Sequence, residues 1–421
     1  MYGLQGELGE VTESTQFQEA ELKDVWQDKA DALRKAINRC LTCGTCSGRC
    51  PAAGIDNLDP RKIIRMLAFG KTKEVVFLRW PWVCTGCGRC VVACPEGIDM
   101  VALGKMLKAM RPRDRVPGSL HRGVENVLKT GNNIGAPRHE YLLVMEEIGE
   151  ELAAEGCPGF KTPIDVVGAE YLFFPNSKEL MAEPDDMKWW WKIFYAAGVT
   201  WTMPSENWES VDWGLFTGND EASKQIARYK VDNAKKLKVR YIVAPDCAGG
   251  SFGFRKNYET YFKSELNAQG IELVYIYDVL VRFLKEGRIK VDKSRNPGLT
   301  TYHDPCKHGR ELERAYGRPY YDEARWIISQ CCDNFVELSP TKRENYCCGA
   351  GGGAWAGPYM DAKIYYGRLK AEQIKNSQAR VVVTSCSNCR DQIMKVLAKE
   401  YKLDIEVKYI WQLVAESLVL T

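Results

Sequence analysis

The sequence predicts a cysteine-rich α-helical module at the amino end, followed by an α/β domain made of two pseudo-repeated halves. Three observations predict it: a doubled run of closely spaced cysteines before residue 95, a change to alternating short apolar strands and helices from Tyr171, and a return of that cadence from Thr300. A chain of 421 residues has room for roughly two to four domains with real cores.

Composition narrows the class. Apolar residues make up 45% and charged residues 27%, as in ordinary globular proteins, and a net charge of +3 without a basic–aromatic stripe gives no footing for nucleic acid. No apolar run of about 18 residues occurs, and Met1 to Glu10 lacks the charged and apolar regions of a secretory signal, so a cytoplasmic protein is expected. Seventeen cysteines in that compartment point to metal or redox chemistry, not to disulfides.

Taken in order, Gly6 to Asn38 is polar and helix-prone, with Phe17, Leu22, Val25, Trp26 and Leu33 as a loose apolar stripe for docking on its own domain. Then Cys40, Cys43, Cys46 and Cys50 form a C-x₂-C-x₂-C-x₃-C-P run that recurs as Cys84, Cys87, Cys90 and Cys94. Such spacing lets three thiolates hold three irons of a cubane while the fourth reaches the neighbouring cluster. Two [4Fe–4S] cubanes follow, one on Cys40, Cys43, Cys46 and Cys94, the other on Cys84, Cys87, Cys90 and Cys50; paired zinc knuckles are the bland alternative.

Pro60 to Phe69 has helical periodicity, with Pro at its start and Gly70 at its stop, and a second amphipathic stretch runs from Met100 to Met110. Arg111 to Gly118 reads as an exit linker, helices are expected over 119–165 with Glu140 to Glu155 the clearest, and Cys157 is read as structural. Strands are expected at Tyr171–Phe174, Tyr241–Ala244, Leu273–Tyr277, Thr300–Tyr302 and Val381–Thr384. Trp189, Trp190 and Trp191 fall about 100° apart around one helix, so some are core and one is free for a pocket or a partner.

The sharpest stretch is Tyr346-Cys347-Cys348-Gly349-Ala350-Gly351-Gly352-Gly353, two adjacent thiols running into glycines that can fold N–H groups over an anion. With Cys306 upstream and Cys386 and Cys389 downstream, five thiolates converge. A structural zinc needs four ligands and a cubane one Cys per iron, so five suit an asymmetric cluster with uneven bridging. Zinc, or plain core cysteines, is the alternative. The loop also fits a dinucleotide pattern weakly at Gly349, Gly351 and Ala354, but Cys-Cys stands where that motif wants apolar residues. Laid over each other, the two halves set Asn176 and Ser177 against Cys306, Asp212 and Trp213 against Cys347 and Cys348, and Cys247 to Gly250 against Cys386 to Cys389. Only Cys247 keeps its sulfur, so the first half reads as the wall of a pocket.

Together these residues resemble the heterodisulfide reductase family, in its fused, D-like form. The paired runs look like the family's separate ferredoxin-type polypeptide; the two α/β halves look like its catalytic polypeptide, whose repeats carry the Cys-Cys-Gly (CCG) signature. The layout is also similar to the cytoplasmic iron–sulfur subunits of sulfate-reducer transmembrane redox complexes: the K-type protein associated with sulfite reduction and its relatives in tetrahaem and high-molecular-weight cytochrome complexes. The resemblance implies an α-helical two-cluster ferredoxin domain over 1–115, a helical linker over 116–168, a degenerate CCG half without a cluster over 169–295, and a CCG half with a noncubane [4Fe–4S] cluster over 296–421. It implies Cys306, Cys347, Cys348, Cys386 and Cys389 as the noncubane ligands and catalytic group, while the first-repeat ligands fall on Ser177, Asp212, Trp213, Cys247 and Gly250, leaving no second such cluster. Gly349, Gly351, Gly352 and Lys307 are expected beside the cofactor, Lys307 and Arg310 as tuners of its charge, and His303 as either a proton donor or a satisfied loop histidine.

The implied function is an oxidoreductase component of anaerobic respiration that moves electrons between a membrane haem b, quinone or cytochrome c partner and a disulfide borne by a small molecule or small protein. It would sit on the inner face of the membrane through its partners, with Trp411 to Leu420 either docking there or packing on its own domain. The alternative is an electron-relay component of a flavin-dependent glycolate, lactate or glycerol-3-phosphate dehydrogenase; a zinc scaffold is the third reading.

Overall fold

A computed structural model describes residues 37–420; the expected docking stripe from Phe17 to Leu33 lies outside them. In the amino-terminal module, α1 (Pro60–Ala68) starts on Asp59, whose carboxylate accepts the Lys62 N–H, and carries Pro at its first position. It turns Ile63, Ile64 and Leu67 inward, and Gly70 at φ +75° ends it. Asp99 caps α2 (Met100–Ala109) through the Val101 and Ala102 N–H groups. Its Met100, Leu103 and Leu107 meet Ile63, Ile64, Val75, Val76, Trp80 and Val91 in one small core. A core this size is thin for a free-standing fold, which suits a module that metal sites finish.

Helices α3 (Gly118–Thr130) and α4 (Arg138–Ala154) follow. α4 is no loose tether: Tyr141, Met145, Ile148 and Leu152 enter the main core, and Tyr141 stacks on Trp208 at 4.7 Å. Cys157 is buried in the same core, as a structural cysteine would be.

The α/β region holds two parallel sheets. The first runs β2-β1-β3-β4 from β1 (Tyr171–Leu172), β2 (Trp201–Thr202), β3 (Tyr241–Val243) and β4 (Glu272–Val274). The second runs β5-β6-β7 from β5 (Thr300–His303), β6 (Val381–Thr384) and β7 (Glu406–Tyr409), with Thr300 paired to Val381 and Val381 to Glu406. Phe335 makes an isolated parallel bridge to Thr300, on the side where β2 flanks β1 in the other sheet.

One expected strand needs correction, and of the two readings of Trp411 to Leu420 the packed one holds. The strand expected over Leu273–Tyr277 stops at Val274, because the Asp278 carboxylate accepts the Tyr275 N–H and opens the helix Ile276–Lys285. Its Ile276, Tyr277, Leu280 and Phe283 recur at helical spacing. The segment Trp411 to Leu420 is no docking tail: Trp411 is 1% exposed, stacks on Tyr409 at 4.2 Å, and lies 5.8 Å from Trp190. Ile410–Ser417 is thus a helix packed against Asp185–Ala197 of the first half and Tyr321–Cys331 of the second, and one aromatic core spans Tyr171, Trp191, Tyr302 and Tyr409. Of the three consecutive tryptophans, Trp190 and Trp191 are buried and Trp189 is half-buried against the same core.

Candidate iron–sulfur and redox site

The carboxyl ends of β5 and β6 build the site, where parallel sheets commonly place ligands. Cys306 follows β5 through Asp304 and Pro305; Cys386 caps the short helix Ser387–Asp391 after β6, and Cys389 lies inside it. The loop before the helix Met360–Ser377 delivers Cys347 and Cys348. The sulfurs of Cys348 and Cys389 are 3.3 Å apart, Cys347 is within hydrogen-bonding reach of Cys306 and Cys348, and Cys386 of Cys389. None of the five is in a disulfide, and Cys347, Cys348, Cys386 and Cys389 are buried.

Charge at this group is uneven. Thiol donation from Cys347 and Cys389, helped by the Ala350 N–H, holds Cys348 well below the usual thiol range. Contact with Cys347 pushes Cys306 up, and burial adds to it. The Gly349 N–H points at Cys347 Sγ at 3.4 Å, so the glycine turn donates to sulfur. Its other service is close approach: a Cβ on Gly351 would lie 2.8 Å from the Thr85 carbonyl oxygen, and one on Gly352, at φ +60°, 2.9 Å from it.

The amino-terminal cysteines form two further groups. Cys40, Cys43, Cys46 and Cys94 line one small cavity, and Cys43 is exposed. Cys50, Cys84, Cys87 and Cys90 sit close enough to raise one another's thiol pKa, with burial the larger cause for Cys50 and Cys90. Each group takes its fourth member from the other run. The second group abuts the carboxyl-terminal one, with Thr85 and Tyr366 lying between Cys87 and Cys347.

That contact is bridged by residues with no motif to announce them in the sequence. Thr85 Oγ1 donates to Tyr366 Oη at 2.7 Å and lies 3.5 Å from Cys347 Sγ, while Tyr366 Oη donates to Cys87 Sγ at 3.3 Å. The signal lay in the helix Met360–Ser377, whose buried face carries Lys363, Tyr366 and Lys370 where an apolar stripe is usual. Four buried cations tie the modules by donating to carbonyls: Lys307 to Gly86 (2.8 Å), Arg310 to Cys87 (2.6 Å), Lys108 to Gly352 (2.6 Å) and Arg89 to Asn345 (3.1 Å). His303 is 1% exposed and kept neutral first by burial, then by the Lys370 ammonium.

A cleft of about 300 Å³ reaches this junction, lined by Cys84, Lys105, Lys108, Phe252, Lys256 and Lys307 among others. It shares Phe216, Gly249, Lys307 and Gly352 with a smaller cavity that touches Cys306, Cys348, Cys386 and Cys389. Ala248, Gly249 and Phe216 of the first half wall that cavity, and Cys247 sits behind it, with Asn388 Nδ2 3.6 Å from its sulfur.

Comparison with known proteins agrees with this chemistry. The 4Fe-4S dicluster domain family matches residues 36–98, and the cysteine-rich domain family (CCG) matches 211–249 and 300–394. The Hdr-like menaquinol oxidoreductase iron-sulfur subunit 2 of Archaeoglobus fulgidus is 24% identical, over 94% of this chain and 82% of its own. The D-type polypeptide of the dihydromethanophenazine:CoB–CoM heterodisulfide reductase of Methanosarcina acetivorans is 27% identical over 80% of this chain and 78% of its own. The chain is a CCG-domain iron–sulfur protein of the heterodisulfide reductase D-like type. The corresponding D-type polypeptide of Methanosarcina mazei is 28% identical over 54% of each chain. This D-like protein carries iron–sulfur clusters, and its relatives place it among oxidoreductase components. No helix among its described residues is long and apolar enough to cross a membrane.

The thiols present fit such a cofactor. Sulfur donors free of disulfides, buried or half-buried except Cys43, and gathered in three adjoining groups, with backbone N–H groups aimed at them, are the environment iron–sulfur clusters use.

Proposed function

We propose that the chain carries electrons between a membrane quinone or cytochrome partner and a disulfide/thiol couple, and that the couple reacts at a noncubane [4Fe–4S] centre on Cys306, Cys347, Cys348, Cys386 and Cys389. Two cubanes, on Cys40, Cys43, Cys46 and Cys94 and on Cys84, Cys87, Cys90 and Cys50, lead to it. Residues 1–115 form the ferredoxin domain, 116–168 the helical linker, and 169–295 and 296–421 the two CCG halves. The single observation that carries the reading is the Thr85–Tyr366 bridge, which lies 3.5 Å from Cys347 Sγ at one end and 3.3 Å from Cys87 Sγ at the other and so sets the second cysteine group against the third. The repeat of the halves draws support from their strand order, since the Phe335 bridge beside β5 answers β2 beside β1. The naming of the Archaeoglobus relatives as menaquinol oxidoreductase iron-sulfur subunits favours a membrane partner, and attachment to the inner membrane face through it.

Cleavage of R–S–S–R′ consumes two electrons and two protons and yields RSH and R′SH. The clusters, when bound, supply one-electron storage, so two arrivals are needed for each disulfide. The protein's part is access and charge. The cleft admits the substrate past Phe216 and Gly249, and Lys307, held by Gly86 O and Glu311, faces the incoming sulfur with a fixed positive charge that steadies a departing thiolate. A pure relay, the alternative suited to a flavin-dependent dehydrogenase, needs no such opening to the third group. The test is anaerobic EPR of the oxidised full chain with and without a small thiol such as 2-mercaptoethanesulfonate. A thiol-dependent signal is expected; a spectrum that ignores thiols and disulfides while the cubanes still exchange electrons would leave only the relay.

A further inference from the structure

Two lysines of the cleft, neither of which lines the smaller cavity at the cysteines, come from different modules and meet one carboxylate. Lys105 is on α2 of the first module, and Lys256 is on the helix Ala248–Asn257 of the first half. The carboxylate is Asp220, in the first turn of the helix Asp220–Lys236, where the helix dipole favours negative charge. Gly218, at φ +71°, lets the modules close up beside it: a Cβ there would lie 2.7 Å from the Lys105 carbonyl oxygen. Lys105 pairs with Asp220 Oδ1, and Lys256 Nζ stands 4.0 Å from the same oxygen.

One carboxylate facing two ammonium groups leaves a positive charge in excess. Partial burial, and then repulsion from Lys105, lowers the Lys256 pKa from 10.5 to about 8, as befits a cation short of a partner. The charges elsewhere in the cleft largely cancel, since Arg314 pairs with Asp99 and Glu311 and Lys307 shares Glu311. Lys108 adds one more positive charge, its ammonium turned to the Gly352 carbonyl. The low-dielectric walls of a cleft focus such a field and draw anions into it. Leu215, Phe216 and Phe252 supply apolar lining, and Phe216 also lines the cavity at the cysteines. An aliphatic chain suits that wall, and an oxyanion suits the lysines.

We infer that Lys105 and Lys256 form an oxyanion subsite, and that the substrate of the third centre is a small disulfide or thiol whose aliphatic arm ends in a sulfonate, phosphate or carboxylate. The arm lies along Phe216 and Phe252, with its sulfur toward the third cysteine group and its anionic end on the two ammonium groups. Asp220 keeps those groups aimed. A volume of about 300 Å³ suits a small molecule. The subsite selects the substrate and takes no part in electron transfer. The inference rests on the third centre proposed above and narrows its substrate to one class.

The test uses the full chain with its clusters, purified anaerobically, and reads thiol binding from the EPR signal of the third centre. The probes are ω-mercaptoalkanesulfonates of increasing chain length and ω-mercaptoalkanols of the same lengths. In the wild type the longer sulfonates should bind roughly tenfold more tightly than the matching alcohols, as charge-assisted contacts at a half-exposed site give. The preference should grow with length until the arm spans from cysteines to lysines. Lys105→Met and Lys256→Met should each remove most of it, and Lys256→Arg, which keeps the charge, should retain most of it; both side chains are partly exposed, so the fold is spared. Hexanesulfonate, which has no thiol, should compete with the sulfonate probes far better than inorganic sulfate. Equal affinity for sulfonates and alcohols at every length, or a preference that Lys256→Met leaves intact, would overturn the inference. So would inorganic sulfate competing as well as hexanesulfonate, which marks a site for free anions. A third centre that answers no thiol at all removes the disulfide reading itself, a result distinct from one that answers charged and neutral thiols alike.

Discussion

Tyr366 is the residue on which communication between the second and third cysteine groups turns, because one hydroxyl accepts from Thr85 and donates to Cys87 Sγ. Tyr366→Phe removes that donor without opening a cavity. A neutral hydrogen bond is worth about 1 kcal/mol, so the cluster on Cys50, Cys84, Cys87 and Cys90 should drop by roughly 40 mV, with little change in melting temperature. An EPR redox titration reads this; an unmoved potential would mean that the hydroxyl matters only for packing. Lys230 gives a second residue-scale prediction, outside the three cysteine groups. It is fully buried, donates to the Glu209 carbonyl at 2.6 Å, and burial pushes its pKa from 10.5 down to about 8. Between about pH 8 and 10.5 the unfolded chain holds this proton and the folded chain does not, so deprotonation favours the fold and Lys230's contribution to stability rises with pH, by at most roughly 3 kcal/mol. Lys230→Met should flatten that part of the stability–pH curve relative to the wild type, as urea unfolding at pH 7.5 and 10 would show.

At the scale of elements, the glycine loop and the packed terminal helix are the most demanding pieces. Gly352 combines a positive φ with contact against the Thr85 and Cys84 carbonyls, so Gly352→Ala has no easy relief. It should loosen the junction of the modules by about 1–3 kcal/mol, seen as earlier loss of cluster absorbance on heating. Trp411→Ala should cost about 3–5 kcal/mol by leaving a cavity between Tyr409 and Trp190. These elements also mark what is readable in the sequence. The cysteine runs are legible because ligand spacing is local, and α1 because Pro60 and Gly70 punctuate it. β2 has only two residues, too few to show a period. Tyr275–Tyr277 reads like strand because apolar text does not distinguish a strand from the first turn of a helix, and Asp278 decides it. Thr85 and Asn345 are illegible because their partners are brought to them by the fold alone, whereas Tyr366 and Lys370 leave only the polar buried face of their helix as a signal.

Across the whole molecule, three cysteine groups lie in a row from the exposed Cys43 to the buried Cys348, and buried cations donating to carbonyls hold the row together. The thin apolar core of the first module and the carbonyl-bound arginines and lysines at its junction make stability and cluster content two views of one property. The count of iron and acid-labile sulfide in anaerobically purified full-length chain, beside Cys348→Ser, tests the central claim most directly. The account predicts about twelve irons, four per cluster, falling to about eight in the variant with both cubane signals intact. A wild type that already holds about eight irons, unchanged by Cys348→Ser, would contradict it.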